Sequence, residues 1–362
     1  MPERNFFDFE KEYLQNLIYN YLSSEDSVTK FLYKDELTKY IISHADLVSV
    51  IDLNKKLGRD LSNTLHSFFT NLPIHHYTSI NALTSILQSK EIRLSQLKDM
   101  NDRFEGLIFL EHLKQYLTDN LCFSKDKISN DKTVSVYIRE LKSAVQLSYS
   151  MSFSFSSEDN AQWERYAENG SGVCLVSSIN KLHKAISCLQ SENGKIGPIT
   201  YNSASCNENR LQAYNVINSI MSSIRQPKEC FNKIAEYCAL LKDPSFFCEH
   251  ELRLSFPSDT FENPNISNFL SKHVSNDIKV TELHDLQNTD SKSKNKDQLV
   301  IKIDEFYKND ISHEHRSFFG MFFNKIVIGP RANKKEKDLV YKLKEQYSLS
   351  DIEIEESTST LK

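Results

Sequence analysis

Apolar residues recur at three- and four-residue intervals through the first seventy positions, as in Phe9, Tyr13, Leu14, Leu17, Ile18, Tyr21 and Leu22, and again in Phe31, Leu32, Leu37, Ile41 and Ile42. Such spacing gathers apolar side chains on one helical face and predicts two to four packed helices. Pro73 punctuates the pattern. Ile74 to Tyr77 then reads as a short strand and Asn81 to Gln88 as a helix. Thr78 or Ser79 is its expected cap, because a hydroxyl there can take a free amide of the first turn. Ile92 to Ser95 is a second short strand, and Asn101-Asp102 opens a turn into an amphipathic helix running through Tyr116. A polar stretch follows from Asp119 to Lys132.

The period then changes. Tyr149, Met151, Phe153 and Phe155 alternate with serines, which is strand periodicity. Asp159 is placed to cap a short helix carrying Trp163 and Tyr166, Gly170-Ser171-Gly172 stops it, and Val173 to Val176 is the next strand. From Asn180 to Leu241 the pattern is mostly helical, interrupted by a turn at Asn193 to Pro198 and a short strand at Ile199 to Tyr201. Phe246 to Phe256 reads as extended, with Glu249, Glu251 and Arg253 on one face because alternate strand residues point the same way. Residues 285 to 297 form the clearest loop. The chain closes with a strand ending at Gly329-Pro330, a helix from Lys335 to Tyr347 and a strand near Ile352 to Ile354.

Short strands scattered among helices, without regular alternation, predict an α+β fold with a small mixed or antiparallel sheet and many helices. The expected division is a helical N-terminal extension over residues 1–72 and a main domain over 73–362, with a helical insertion at about 180–242.

Composition narrows the function classes. A net charge of −5 gives no global attraction for nucleic acid, so a polynucleotide partner would need a local basic patch. Lys292, Lys294 and Lys296, and Lys334, Lys335 and Lys337, are the candidate runs, although charges this dense resist burial and such runs are more often solvated surface. Seven cysteines without a C-x-x-C pair argue against a disulfide framework or a zinc knot and point to a reducing, cytoplasmic setting. The first residues lack the plan of a secretory signal, and no run of eighteen apolar residues predicts a membrane span. Neither G-x-G-x-x-G nor a P-loop is present.

The candidate chemistry lies in three pieces. His75-His76-Tyr77-Thr78 offers ring nitrogens, a hydroxyl and an aromatic face, a set that suits a ribose or an amide. Asn101-Asp102 with Glu105 reads as a turn and capping box. Glu249 and Glu251, with Arg253 next in the row, either form a charge ladder on an edge strand or a site where Glu251 stabilises a developing cation. Two carboxylates so close must raise the pKa of one or recruit the guanidinium as counter-ion. Trp163 and Tyr166 supply core packing or a stacking surface. His313-Glu314-His315 lacks a convincing third ligand, so no metal is expected.

Five short motifs in this order resemble the bacterial family called domain of unknown function 2971. They are His76-Tyr77-Thr78, Asn101 to Glu105, Trp163 to Val176, Glu249 to Arg253, and Ile328-Gly329-Pro330, so the resemblance spans roughly residues 74 to 356. That family is distantly similar to the ADP-ribosyltransferase fold, in which an early strand His, a stacking aromatic and a late strand Glu surround NAD. The resemblance implies NAD as substrate, with Glu251, Glu249 and His76 catalytic and His76, Tyr77, Thr78, Asn101, Trp163, Tyr166 and Arg253 around the dinucleotide. Tyr77 or Tyr166 is the stacking aromatic. The serine motif of those enzymes has no clean counterpart, although Ser150, Ser152 and Ser154 occupy a strand at about the right place.

The implied activity is transfer of ADP-ribose to RNA, DNA or protein by a toxin or phage-defence effector, with an antitoxin as neutralising partner. Two rivals stand beside it. One is a nucleotide-binding module that signals without chemistry. The other is a metal-dependent nuclease using Asp102, Glu105, Glu249 and Glu251, weakened by the lack of a lysine beside the Glu249 and Glu251 pair.

Overall fold

The structure is a computed structural model that describes residues 70–100, 107, 110–120, 127–187, 194–201, 217, 220–221, 227–257, 270–274, 297–302, 317 and 319–361. The predicted N-terminal helices, Asn101 to Glu105, the loop up to residue 296 with its three lysines, and His313 to His315 lie outside the described residues.

β1 (Pro73–Thr78) leads into α1 (Ile80–Ser89), capped by Ser79, whose hydroxyl accepts from the Ala82 amide. β2 (Glu91–Gln96) follows. The region read as a polar stretch holds the ends of two helices, α2 (Leu110–Asn120) and the 21-residue α3 (Lys127–Leu147). β3 (Tyr149–Ser154) hands over to α4 (Asn160–Tyr166), capped by Asp159, and β4 (Val173–Ser178) runs directly into α5 (Ile179–Ser187). The expected turn at Asn193 to Pro198 is instead strand β5 over Lys195–Pro198, followed by the two-residue β6 (Thr200–Tyr201). β5 is a strand because the edge of a later, fully buried strand needs its backbone partners.

α6 (Pro227–Cys238) and β7 (Leu241–Lys242) precede a 3₁₀ turn, Pro244–Glu249, and then β8 (Glu251–Phe256). The extended reading of Phe246 to Phe256 therefore needs correction: the strand starts at Glu251, and Glu249 ends the turn before it. His250 separates them with φ +43°, the left-handed backbone that a side chain disfavours by about 1–2 kcal/mol. β9 (Leu270–Val274), β10 (Asp297–Lys302), β11 (Lys325–Ile328), α7 (Lys334–Gln346) and β12 (Glu353–Glu356) complete the described elements.

Among the described residues this makes an α+β fold with seven helices and one mixed sheet of ten strands. The order is β12-β11-β4-β1-β3-β2-β10-β9, with β8 on the other edge of β3 and β5 beyond it. Only β11 and β12 pair parallel within this sheet, and β6 and β7 form a separate parallel pair.

β3 is where the sheet divides. Along one edge it pairs with β8 over its whole length. Along the other it pairs with β1 only at His75 and Ser154, and with β2 only through Ser150 and Tyr149. Among the described residues Met151 to Phe153 have no strand on that edge, because β1 and β2 part above them.

One face of the sheet carries the main core, including Leu83 and Leu87 of α1, Leu182 of α5, Val340 of α7 and the inward residues Met151, Phe153, Leu252 and Leu254. A second cluster joins α2, α3 and α6, and a third packs Trp163 of α4 against Tyr77, Cys174, Val176 and Val327. The two glycines of the closing motifs are demanded by close approach. A Cβ on Gly172 would lie 2.3 Å from the Thr78 carbonyl oxygen, and one on Gly329 would lie 2.2 Å from that of Gly170.

Candidate functional site

Where β1 and β2 separate, a cleft of about 300 Å³ opens over β3, at the lower end of the range for small-molecule sites. One wall is His75, His76 and Tyr77 of β1 with Gln162 and Tyr166 of α4. The facing wall is Arg93 and Ser95 of β2, with Asp99 and Met100 after it, and Lys242, Phe246, Glu249 and Glu251 close the end. The alternation of β3 sends Tyr149, Met151 and Phe153 into the core, so Ser150, Ser152 and Ser154 fall on its opposite face.

Four buried charges stand together there. Lys242 Nζ donates to Glu249 Oε2 at 2.7 Å and to Glu251 Oε2 at 2.8 Å. Arg253 Nε and Nη2 donate to Glu251 Oε1 at 3.0 and 2.7 Å, and its Nη1 donates to the Ala239 carbonyl at 2.6 Å. Ser152 Oγ donates to the same Glu251 oxygen at 2.5 Å. Burial alone would push the Glu251 carboxyl up, but the charges of Arg253 and Lys242 and the bonds from Lys242 and Ser152 outweigh it and hold the group at about 2. The counter-ion alternative of the two expected for this pair is the one realised, with two cations rather than one. Glu249 also accepts from the Tyr166 hydroxyl at 2.7 Å and lies 3.5 Å from Arg165.

The two histidines are fixed by the backbone. His75 Nδ1 lies 3.2 Å from the Ser154 carbonyl oxygen and His76 Nδ1 2.8 Å from that of Ser152. A carbonyl only accepts, so each ring carries its proton on Nδ1 and presents Nε2 as an acceptor. Burial lowers both pKa values, that of His75 to about 4. His76 thus bonds a β3 carbonyl within Met151 to Phe153, the stretch that among the described residues has no strand on this edge.

Of the residues expected at the site, His76, Tyr77, Tyr166, Glu249 and Glu251 line the cleft. Trp163 does not. It is 1% exposed and meets Tyr77 edge to face at 4.9 Å, so it packs the α4 side of the sheet instead of offering a stacking face. Tyr77 shares that cluster, and its hydroxyl donates to the Ser156 carbonyl. Thr78 sits at the end of β1, paired with Val173, away from the cleft lining. Arg253 lies behind Glu251, fully buried, and orients it. Lys334 and Lys335 are exposed at the start of α7, and Lys337 pairs with Glu356 at 2.7 Å. Asn101, Asp102 and Glu105 lie outside the described residues.

The sequence reading missed Lys242. Lys242 touches both glutamates, so the expectation that no lysine stands beside them is overturned. Its separations of seven and nine residues from them cross the end of β7, a 3₁₀ turn and the start of β8, so no single period relates them, and its place is set by the pairing of β7 with β6. A lysine after an apolar helix end and before Asp243-Pro244 carries no signal of its own. Lys242 bridges the two carboxylates, and among the described residues no group of three or more His, Cys, Asp or Glu is placed to hold a metal ion. Among the described residues no helix is long and apolar enough to cross a membrane.

Residues 162–254 match the model of the family described as Protein of unknown function (DUF2971). The matched segment begins in α4 and ends in β8. The match contains the Trp163 to Val176 and Glu249 to Arg253 motifs and is narrower than the span from residue 74 to 356 expected from the five motifs. No curated protein and no solved structure matches the chain.

Proposed function

We propose that the cleft binds NAD and that the protein is an ADP-ribosyltransferase acting on a macromolecule. The observation that carries this reading is a chain of contacts across three strands. His76 of β1 bonds the Ser152 carbonyl of β3, and the Ser152 hydroxyl bonds Glu251 of β8, all at the cleft. An early strand His and a late strand Glu are the parts that the resemblance to ADP-ribosyltransferases implies around NAD, and Ser152 stands on the strand that links them. Tyr166, which lines the cleft with its hydroxyl on Glu249, is the better-placed aromatic for a nicotinamide ring, because Tyr77 is engaged with Trp163.

Loss of nicotinamide builds positive charge on the ribose, as glycoside cleavage does. Glu251, ionised at all physiological pH and held by four donors, supplies fixed negative charge without having to reorganise. With its carboxyl near 2 it is no proton acceptor, so its role is electrostatic. The Nε2 acceptors of His75 and His76 suit the ribose hydroxyls. A toxin or defence effector held by an antitoxin remains the proposed setting.

The test is incubation of the purified protein with adenylate-labelled NAD and bacterial lysate, with Glu251→Gln in parallel. Label should enter a protein, RNA or DNA fraction with release of nicotinamide, and Glu251→Gln should lower the rate about 10²–10³-fold. Unchanged turnover in a folded Glu251→Gln protein removes Glu251 from the role.

A second reading is favoured by the charge balance, since Lys242 and Arg253 together neutralise Glu249 and Glu251. A neutral site attracts a developing cation weakly, and a module that binds the nucleotide without cleaving it fits that balance. It predicts saturable binding of NAD or ADP-ribose with no nicotinamide release.

A further inference from the structure

We propose that the β2 wall of the cleft is an anion subsite, in which Arg93, Ser95 and Ser150 take the phosphate groups of a nucleoside-diphosphate ligand. The inference rests on the nucleotide reading above and assigns one part of that ligand to one wall. β2 buries Ile92, Leu94 and Gln96, which turns Arg93 and Ser95 to the opposite side, where both line the cleft. Ser95 lies directly across from Ser150 in antiparallel register, so the two hydroxyls are cross-strand neighbours.

Ser150 carries the argument. It is 3% exposed and lines the cleft, yet its Oγ is buried without a hydrogen-bond partner among the described residues. The other serines on this face are engaged, Ser152 with Glu251 and Ser154 with the Glu249 carbonyl. A desolvated hydroxyl left unbonded is destabilising, and native proteins satisfy such groups with very few exceptions. A ligand oxygen at this wall would satisfy it.

The charge at this wall is also available. Among the described residues two cationic side chains, Arg93 and Lys242, line the cleft, and Lys242 is committed to both glutamates. Arg93 has a looser ion pair, 3.5 Å to Glu91 with both side chains 27% exposed, of the kind that contributes little. Its planar fork matches the paired oxygens of a phosphate. Asp99 is the acidic group of the same wall and repels an anion, which places the phosphates on the Arg93 side of Ser95.

The test is calorimetric titration of the full-length protein with ADP-ribose, ADP, adenosine and inorganic pyrophosphate, for the wild type, Arg93→Gln and Ser150→Ala. The wild type should bind ADP and ADP-ribose more tightly than adenosine. Arg93→Gln should weaken both about 10–100-fold while leaving adenosine unchanged, the range expected for losing a charge-assisted pair. Ser150→Ala should weaken them several-fold with a melting temperature equal to or above the wild type, because it removes an unsatisfied group. A purely structural serine would lower the melting temperature and leave affinity alone, which overturns its part. Pyrophosphate binding that depends on Arg93, without nucleotide binding, supports the subsite and rejects the nucleotide reading. Equal ADP affinity in wild type and Arg93→Gln, or no binding of any of the four probes, overturns the subsite.

Discussion

The hydroxyl of Ser152 donates to Oε1 of Glu251 at 2.5 Å, across a strand pair whose members are 99 residues apart in the chain. The same residue's carbonyl accepts from His76, so Ser152 ties the β1 wall of the cleft to the carboxylate of β8. Replacing it by Ala should leave the backbone contact to His76 intact and remove one of the four donors on Glu251. We expect destabilisation of about 1.5–3 kcal/mol, typical of a bond to a charged group, measured by urea unfolding. Under the proposed transferase reading, nicotinamide release should fall with KM nearly unchanged, since the bond orients the carboxylate and not the bulk of the ligand. A rise in KM alone would count against this role.

Lys242 is the residue on which the charge cluster depends. Lys242→Met leaves Glu249 and Glu251 facing each other in a buried site, and breaking a buried pair from one side costs about 3–5 kcal/mol. The loss should be greater at pH 8 than at pH 5. A carboxyl whose folded pKa is raised contributes stability present at low pH and lost as pH rises through that pKa. Adding Glu249→Gln should recover part of the loss. Equal destabilisation at both pH values would show that the cluster is not coupled in this way.

His75 predicts a separate pH dependence. Its folded pKa of about 4 lies below the ordinary 6.5, so its neutral form contributes stability that is fully present above pH 6.5 and lost as pH falls towards 4. The span corresponds to on the order of 3 kcal/mol. Glu251, lowered from an ordinary value of 4.5 to about 2, acts in the window below that. Stability measured from pH 7 to pH 4 should fall less steeply in His75→Gln than in the wild type. Identical slopes would remove His75 as the source.

The last residues strap the site helix. Glu158 accepts from the Ser357 hydroxyl and from the amides of Thr358 at 3.3 Å and Ser359 at 3.2 Å, and Leu361 packs against the Trp163 cluster. Removing residues 357–362 should therefore expose Trp163, the single tryptophan of the chain, and shift its emission to longer wavelength. An unchanged spectrum would mean that α4 holds its place without the strap.

Much of this architecture was legible locally. The serine-aromatic alternation placed β3, and Ser79 and Asp159 capped the helices they precede. These follow from period and backbone sterics, which act over a few residues. The break at His250 was not legible, because a left-handed residue other than Gly is selected by its surroundings: its carbonyl accepts from Phe155 and its ring meets the Ser156 hydroxyl.

The sequence by itself determined the α+β character, most of the elements around the cleft, and the pairing of Glu251 with Arg253 on one strand face. Tertiary structure alone decided which charges meet. The parting of β1 from β2 over β3, the arrival of Lys242 between two glutamates, the withdrawal of Trp163 into the core and the orphaned hydroxyl of Ser150 all depend on contacts between distant segments. Side-chain periodicity reports which face a residue occupies, whereas the neighbour it finds there is set by strand order, and strand order is a property of the whole chain.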